Sequence, residues 1–388
     1  MKVSRRSKNR IIVWLLTVVI SAVLIFAGNR LVKGDVHILD QTEVTARAKV
    51  TEMSELVEEA LEDAGYSSKI QFFKAKLLTG SRKGEVVLAY QHIDSYTDTG
   101  ERFVKTGDIV ILYNYEYQSG TDDWVFGNFA RFDYILVLGI IFLVLIVLFG
   151  RRKGVNTIIS LIFTCLAVFM VFIPGVLAGR NVYVLTVLIC AFTIIMTLIL
   201  TNGTSKKSVA TMLGCGAGVV TAALISFIFD RMMHLTGFID EHSVYLQVMG
   251  EQGTPIDLRA LIFAMITIGA LGAVMDVAMD IASSLYEIKH HAPDISPREL
   301  FKSGMNIGRD VMGTMANTLV LAYIGSSLCS ILLKVTYANT LMELVNTESI
   351  VVELLNAIVG SMAILLTIPL TALVCCAAYK ASAKHANN

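Results

Sequence analysis

Two periodicities divide the chain. Eight apolar runs stand out, at roughly 11–28, 134–150, 155–175, 181–201, 208–229, 259–285, 311–333 and 350–378. About 18 consecutive apolar residues suffice for a helix to cross the hydrocarbon core of a bilayer, so eight spanning helices are expected. Residues 43–131, between the first two runs, follow a different rhythm. Val44, Ala46, Ala48 and Val50 alternate with polar positions, the pattern of a half-buried strand. KIQFFKAKLL, EVVLAYQHI and DIVILYNYEY read as further strands, with Gly80, Gly84 and Gly107 supplying turns. The stretch MSELVEEALEDAG instead spaces Met53, Leu56, Val57, Ala60 and Leu61 helically and ends on Gly65, a C-cap signal. About five strands and one helix predict a small β domain, sandwich-like or a closed OB-like barrel. The fold class is therefore an all-α membrane bundle of about eight helices, with this β domain between helices 1 and 2.

Composition agrees with that class: 55% of residues are hydrophobic and only 16% charged, against about 25% charged in soluble domains. The first run follows the basic tail MKVSRRSKNR and continues into Asn29 without a clear cleavage site, so it reads as an uncleaved anchor. Lys and Arg concentrate in alternate short segments: Lys2 to Arg10, Arg151 to Lys153, Lys206 and Lys207, Lys289 to Arg309, and Lys380 and Lys384. The positive-inside rule then puts both termini in the cytoplasm and residues 29–133 outside the membrane. The expected organisation is residues 1–34 as basic tail and anchor, 35–133 as outer domain, and 134–388 as seven helices with a cytoplasmic loop at 287–308.

The formal net charge of zero conceals an asymmetry. Residues 35–133 hold 18 acidic and 10 basic side chains, a net of −8, so the rest of the chain carries +8. An acidic outer domain and basic membrane flanks offer no footprint for nucleic acid. The six cysteines all fall within apolar runs, which supports neither a disulfide framework nor a thiolate metal site. His290 and His291 are adjacent and point apart on a helix, and TGSRKGE lacks the phosphate-loop pattern. No cofactor or metal is expected. Asp230, His234, Asp240, Glu241 and His242 read as part of a solvated outer loop.

The chemistry concentrates in the sixth run, GALGAVMDVAMDIASSLYEI. Asp276 and Asp280 lie one turn apart, roughly 6 Å along a helix. Steps of three or four residues join Gly269, Gly272, Asp276, Asp280, Ser283 or Ser284, and Glu287 into one small and polar stripe. In a bilayer such a stripe must face protein or water. The seventh run places Asp310, Gly313, Thr314 and Asn317 on one face, with Arg309 at its start. An antiparallel hairpin would pair Asp280 with Arg309 and leave Asp276 buried opposite Thr314 and Asn317. Gly214 and Gly218 form a GxxxG spacing suited to helix packing, and the small positions Gly269, Gly272 and Gly313 are expected to pack as well. Pro174 and Pro369 would kink or end their spans.

IGALGAVMDVAMDIASSLYEI followed by SGMNIGRDVMGTMANTLVLAYIG resembles the signature of the YibE/YibF family of bacterial multi-pass membrane proteins, and FGRRKG and FIPGVLAGRN are similar to that family's pattern. The resemblance extends from about residue 43 and implies the membrane architecture, without an activity. The same hairpin is remotely similar to the SecD/SecF and RND-transporter helix pair, which implies proton coupling through a buried carboxylate.

Three functions follow as alternatives. A transporter or proton-coupled export component would titrate Asp276 and act on an ion or small molecule. A non-transporting envelope assembly factor, sensor or scaffold would act through the outer domain. An intramembrane aspartyl protease needs facing carboxylates, but no GxGD pattern precedes Asp310, and no HExxH occurs; an enzyme is not expected. The bilayer, a membrane-protein partner and a second copy of the chain are the expected partners.

Overall fold

The computed structural model describes residues 5–32, 44–61, 66–94, 102–114, 123–252 and 255–386. The chain forms two compact units, one comprising His37–Leu145 and the other Met1–Val36 with Ile146–Asn388.

The first unit is a closed five-stranded barrel. Strands β1 (Val44–Leu61), β2 (Tyr66–Leu77), β3 (Val86–Asp94), β4 (Ile109–Asn114) and β5 (Trp124–Phe129) close in the order β1-β2-β3-β5-β4. All neighbours are antiparallel except β3 and β5, where Ala89 pairs with Trp124. Closure satisfies every edge and favours the barrel over the sandwich. The alternation read from the sequence delivers most of the core: Ala48, Val50, Phe73, Ala75 and Leu112 are buried together, and Trp124 of β5 joins them. Gly80, Gly84 and Gly107 take positive φ, as turns between strands require.

One expectation fails here. Met53–Leu61 is strand, not helix, and completes the 18-residue β1. Leu56 pairs with Gln71 and Val57 with Ile70, while bulges between Val50 and Glu52 and between Met53 and Leu56 absorb the irregular spacing. The Gln71 amide also donates to Ser54 O at 2.9 Å. Cross-strand bonding overrides the helical pattern, and Leu56 and Val57 stay exposed. Gly65 and residues 115–122 lie outside the described residues. Strand β5, WVFGNF, is not among the runs singled out by alternation. Its Gly127 leaves room for the Tyr113 ring of β4, which a Cβ would strike.

The second unit is helical. Its elements are α1 (Arg5–Val32), α2 (Phe132–Ala167, from Ile146 onward in this unit), a π-helical turn (Val168–Phe172), α3 (Ile173–Leu177), α4 (Val182–Asn202) and α5 (Lys206–Met232). Then follow α6 (Glu241–Gln252), α7 (Leu258–His291), α8 (Pro297–Ser326), α9 (Leu328–Tyr337), α10 (Leu341–Asn346) and α11 (Glu348–Ala386). Pro174 sits at the π–α3 junction, and Pro369 lies inside α11, which continues past it.

Among the described residues, six helices are long and apolar enough to cross a membrane, or seven if a bent pair counts as one span, rather than the eight expected. Both differences have a physical origin. The runs at 134–150 and 155–175 form one stretch, Phe132–Leu177, interrupted where Arg151 takes φ 49°, ψ −125°. Eight helical residues rise about 12 Å, yet a Cβ on Gly154 would collide with the Ile146 carbonyl. The chain therefore folds sharply back at Arg151. The run at 311–333 is the bent pair, α8 and α9, which meet at 65°.

Helix α11 organises the bundle, packing along α5, α7 and α8. Small residues permit the contacts. Gly214 and Gly218 of α5 seat Thr371 and Thr367 of α11, so the GxxxG spacing is a packing device. Gly304 and Gly308 of α8 do the same against Ala372 and Ile368. The sequence reading assigned these two to the cytoplasmic loop, although GMNIG carries the same spacing. Gly272 and Gly313, expected to pack, have nothing within 4 Å of a built Cβ.

Candidate functional site

Helix α7 turns one face inward and one outward. Val274, Val277, Ala278, Ile281, Ala282 and Leu285 are fully buried. Gly269, Gly272, Asp276, Asp280 and Glu287 are exposed, and Ser283 is half-buried between them. The stripe read from the sequence thus exists as one continuous face. On α8 the apolar and glycine positions Leu300, Gly304 and Gly308 face the core, while Arg309, Asp310, Gly313, Thr314, Asn317 and Thr318 are exposed.

The predicted pairing between the two stripes is not formed. Among the described residues no ion pair joins Asp280 to Arg309, whose guanidinium donates instead to Asn306 Oδ1 at 3.4 Å. No hydrogen bond joins Asp276 to Thr314 or Asn317; Thr314 and Thr318 donate to carbonyls of their own helix, Val311 O and Met315 O, each at 2.9 Å. Asp276 and Asp280 are exposed in the single chain rather than buried between two helices. The cause is α11: its contacts draw the glycine face of α8 and the aliphatic face of α7 toward itself, leaving the polar faces outward.

The stripes do meet the other helix at one end. Gly269 lies under the Tyr323 hydroxyl, which would stand 2.5 Å from a Cβ at that position. Tyr323 also reaches α11, where its ring approaches Gly360. Sequence reasoning passed over Tyr323, Glu353 and Asn356, which line a cleft of about 420 Å³ beside Gly269. A carboxylate and an amide five and eight residues into an apolar helix were the available signal.

Asp230, read as part of a solvated loop, is instead buried near the end of α5. Asp240 caps α6, accepting from Ser243 N at 2.9 Å. Among the described residues, no group of three or more His, Cys, Asp or Glu could hold a metal ion.

Several helices long and apolar enough to cross a bilayer mark a membrane protein. The chain belongs to the YibE/F-like protein family, whose model matches residues 138–381, well over half its length. No curated protein and no solved structure matches it. The remote likeness to the SecD/SecF helix pair is not shown by these comparisons.

Proposed function

We propose that this protein is a transporter or proton-coupled export component of the bacterial cell membrane, with the exposed α7 stripe as its polar path. One observation carries the reading: two carboxylates one turn apart, well inside a 34-residue apolar helix, with no hydrogen-bond or ion-pair partner among the described residues. An ionised Asp facing lipid at a helix centre costs about 2.5–3.5 kcal/mol. The stripe therefore calls for water or a second protein surface against it. Protonation removes that cost, so Asp276 is suited to carry a proton between a hydrated and an apolar setting. Asp280 shares the face and biases that uptake, and the polar face of α8, with Asp310, Thr314 and Asn317, supplies hydrogen-bonding groups.

In this reading the reversal at Arg151 divides two spans and the bent α8–α9 pair is one, giving eight. Both termini are then cytoplasmic and the acidic barrel lies outside. The test is flux in proteoliposomes under an imposed pH gradient. Asp276→Asn should abolish pH-dependent flux while the protein stays monodisperse; full flux in that variant would sink the proposal.

The second reading, an assembly factor, sensor or scaffold, is favoured by the barrel's separate closed core. It expects removal of residues 43–130 to abolish function and Asp276→Asn to be tolerated.

A further inference from the structure

The cleft at the Gly269 end of the α7 stripe has a wall, Tyr323, Glu353 and Asn356, that the polar-path reading does not use. Helix α8 ends at Ser326, and the 65° bend into α9 follows at once. A helix C-terminus carries partial negative charge, and broken membrane helices present such ends to cations. Ser326 Oγ and Ser327 N both donate to Tyr323 O, at 2.9 and 3.1 Å, which fixes the last turn beside the cleft.

Across from this end, α11 contributes two acceptors. Glu353 is half-buried and makes no ion pair or hydrogen bond among the described residues. Asn356 is only 3% exposed, and its Oδ1 has no partner among the described residues. Leaving a buried polar atom unpaired costs about 1–3 kcal/mol, so an occupant that donates to it is favoured. The Tyr323 hydroxyl, held over Gly269, adds a further oxygen. Among the described residues no Lys or Arg lines the cleft, so none of them neutralises the carboxylate.

Size and wall chemistry narrow the occupant. A volume of about 420 Å³ falls within the range of small-molecule sites, about 300–1,000 Å³. It far exceeds the needs of a bare inorganic ion. Much of the wall is apolar, with Met265 and Ile268 of α7 and the ring of Phe172. An alkylammonium has three N–H donors for Glu353, Asn356 and Tyr323, and an apolar body for the remainder.

We propose that this cleft binds the ammonium group of an amphipathic amine, with Glu353 as counter-ion and Asn356 Oδ1 as the buried acceptor. Such an ammonium arrives either on a free amine or on an aminophospholipid headgroup. The site is separate from Asp276, and the proposal holds whether or not the α7 stripe conducts protons.

The test uses the full chain in nanodiscs, with phenethylammonium as probe and phenethyl alcohol as its neutral counterpart, followed by titration calorimetry. Saturable binding of the ammonium, absent for the alcohol, is expected. Glu353→Gln and Asn356→Leu should each weaken it at least tenfold, whereas Asp276→Asn should leave it unchanged. If one variant fails to stay monodisperse, the other carries the comparison. A parallel arm measures retention of phosphatidylethanolamine against phosphatidylglycerol by native mass spectrometry. Selective retention that Glu353→Gln removes identifies the headgroup as the source. Equal binding of the alcohol, equal binding by folded Glu353→Gln, or no binding in either arm would overturn the proposal. So would sodium chloride competing at equimolar concentration with the amine.

Discussion

The Tyr323 hydroxyl occupies the space a side chain at Gly269 would need, 2.5 Å from a Cβ there, and so pins α8 to α7 at one end of the polar stripe. Gly269→Val should therefore destabilise the bundle by about 1–3 kcal/mol, the usual cost of overpacking. Tyr323→Phe in the same chain should recover part of the loss by removing the clashing atom. Thermal unfolding in detergent, compared across the single and double variants, checks this.

Glycines in contact and glycines in the open should behave differently. Gly218 seats Thr367 and lies 2.8 Å, by its built Cβ, from Val274 Cγ1, so Gly218→Val forces α5 away from two helices at once. Gly308→Val meets Ile368 in the same way. Both should lose the monodisperse peak in size-exclusion chromatography. Gly272→Val and Gly313→Val, with open space around them, should elute as wild type. A Gly272 variant as damaged as Gly218→Val would mean that another surface covers the stripe.

In the barrel, the decisive contact is again a glycine. Gly127→Val collides with the Tyr113 ring between neighbouring strands. Loss of protease resistance in the barrel, with recovery in Gly127→Val combined with Tyr113→Ala, is the expected pattern.

Arg47 and Asp133 form an ion pair at 2.5 Å, but both side chains are well exposed, at 39% and 45%. Exposed pairs contribute about 0–1 kcal/mol. Arg47→Ala should thus shift barrel stability by less than 1 kcal/mol, and by less still in high salt. Trp124→Ala, which empties a fully buried core position, should cost about 3–5 kcal/mol. Denaturant titration of both variants ranks them, and a reversed order would contradict the burial pattern.

The sequence made some of this legible for clear physical reasons. Alternation located Val50, Phe73 and Leu112 in a β core, because a strand's two faces differ in polarity. Apolar length located the helices, and 3.6-residue spacing grouped Gly269, Asp276 and Asp280 on one face. Spacing states which residues share a face but not what that face meets. Asp280 and Arg309 were matched by depth alone, whereas the packing of Gly304 and Gly308 on α11 decided how α8 is turned. Met53–Leu61 was misread because helical spacing is a local property and its pairing with β2 is not. Asn356 escaped notice because a lone amide in an apolar run is unremarkable until its Oδ1 is found without a donor.

The position of α11 bears on how the molecule is made. It follows α5, α7 and α8 in the chain, yet it is the helix on which all three pack. During synthesis those earlier helices are made with Gly218, Gly304 and Gly308 uncovered, because their shared neighbour follows them in the chain. The packing of α5, α7 and α8 is accordingly complete only once α11 has been made.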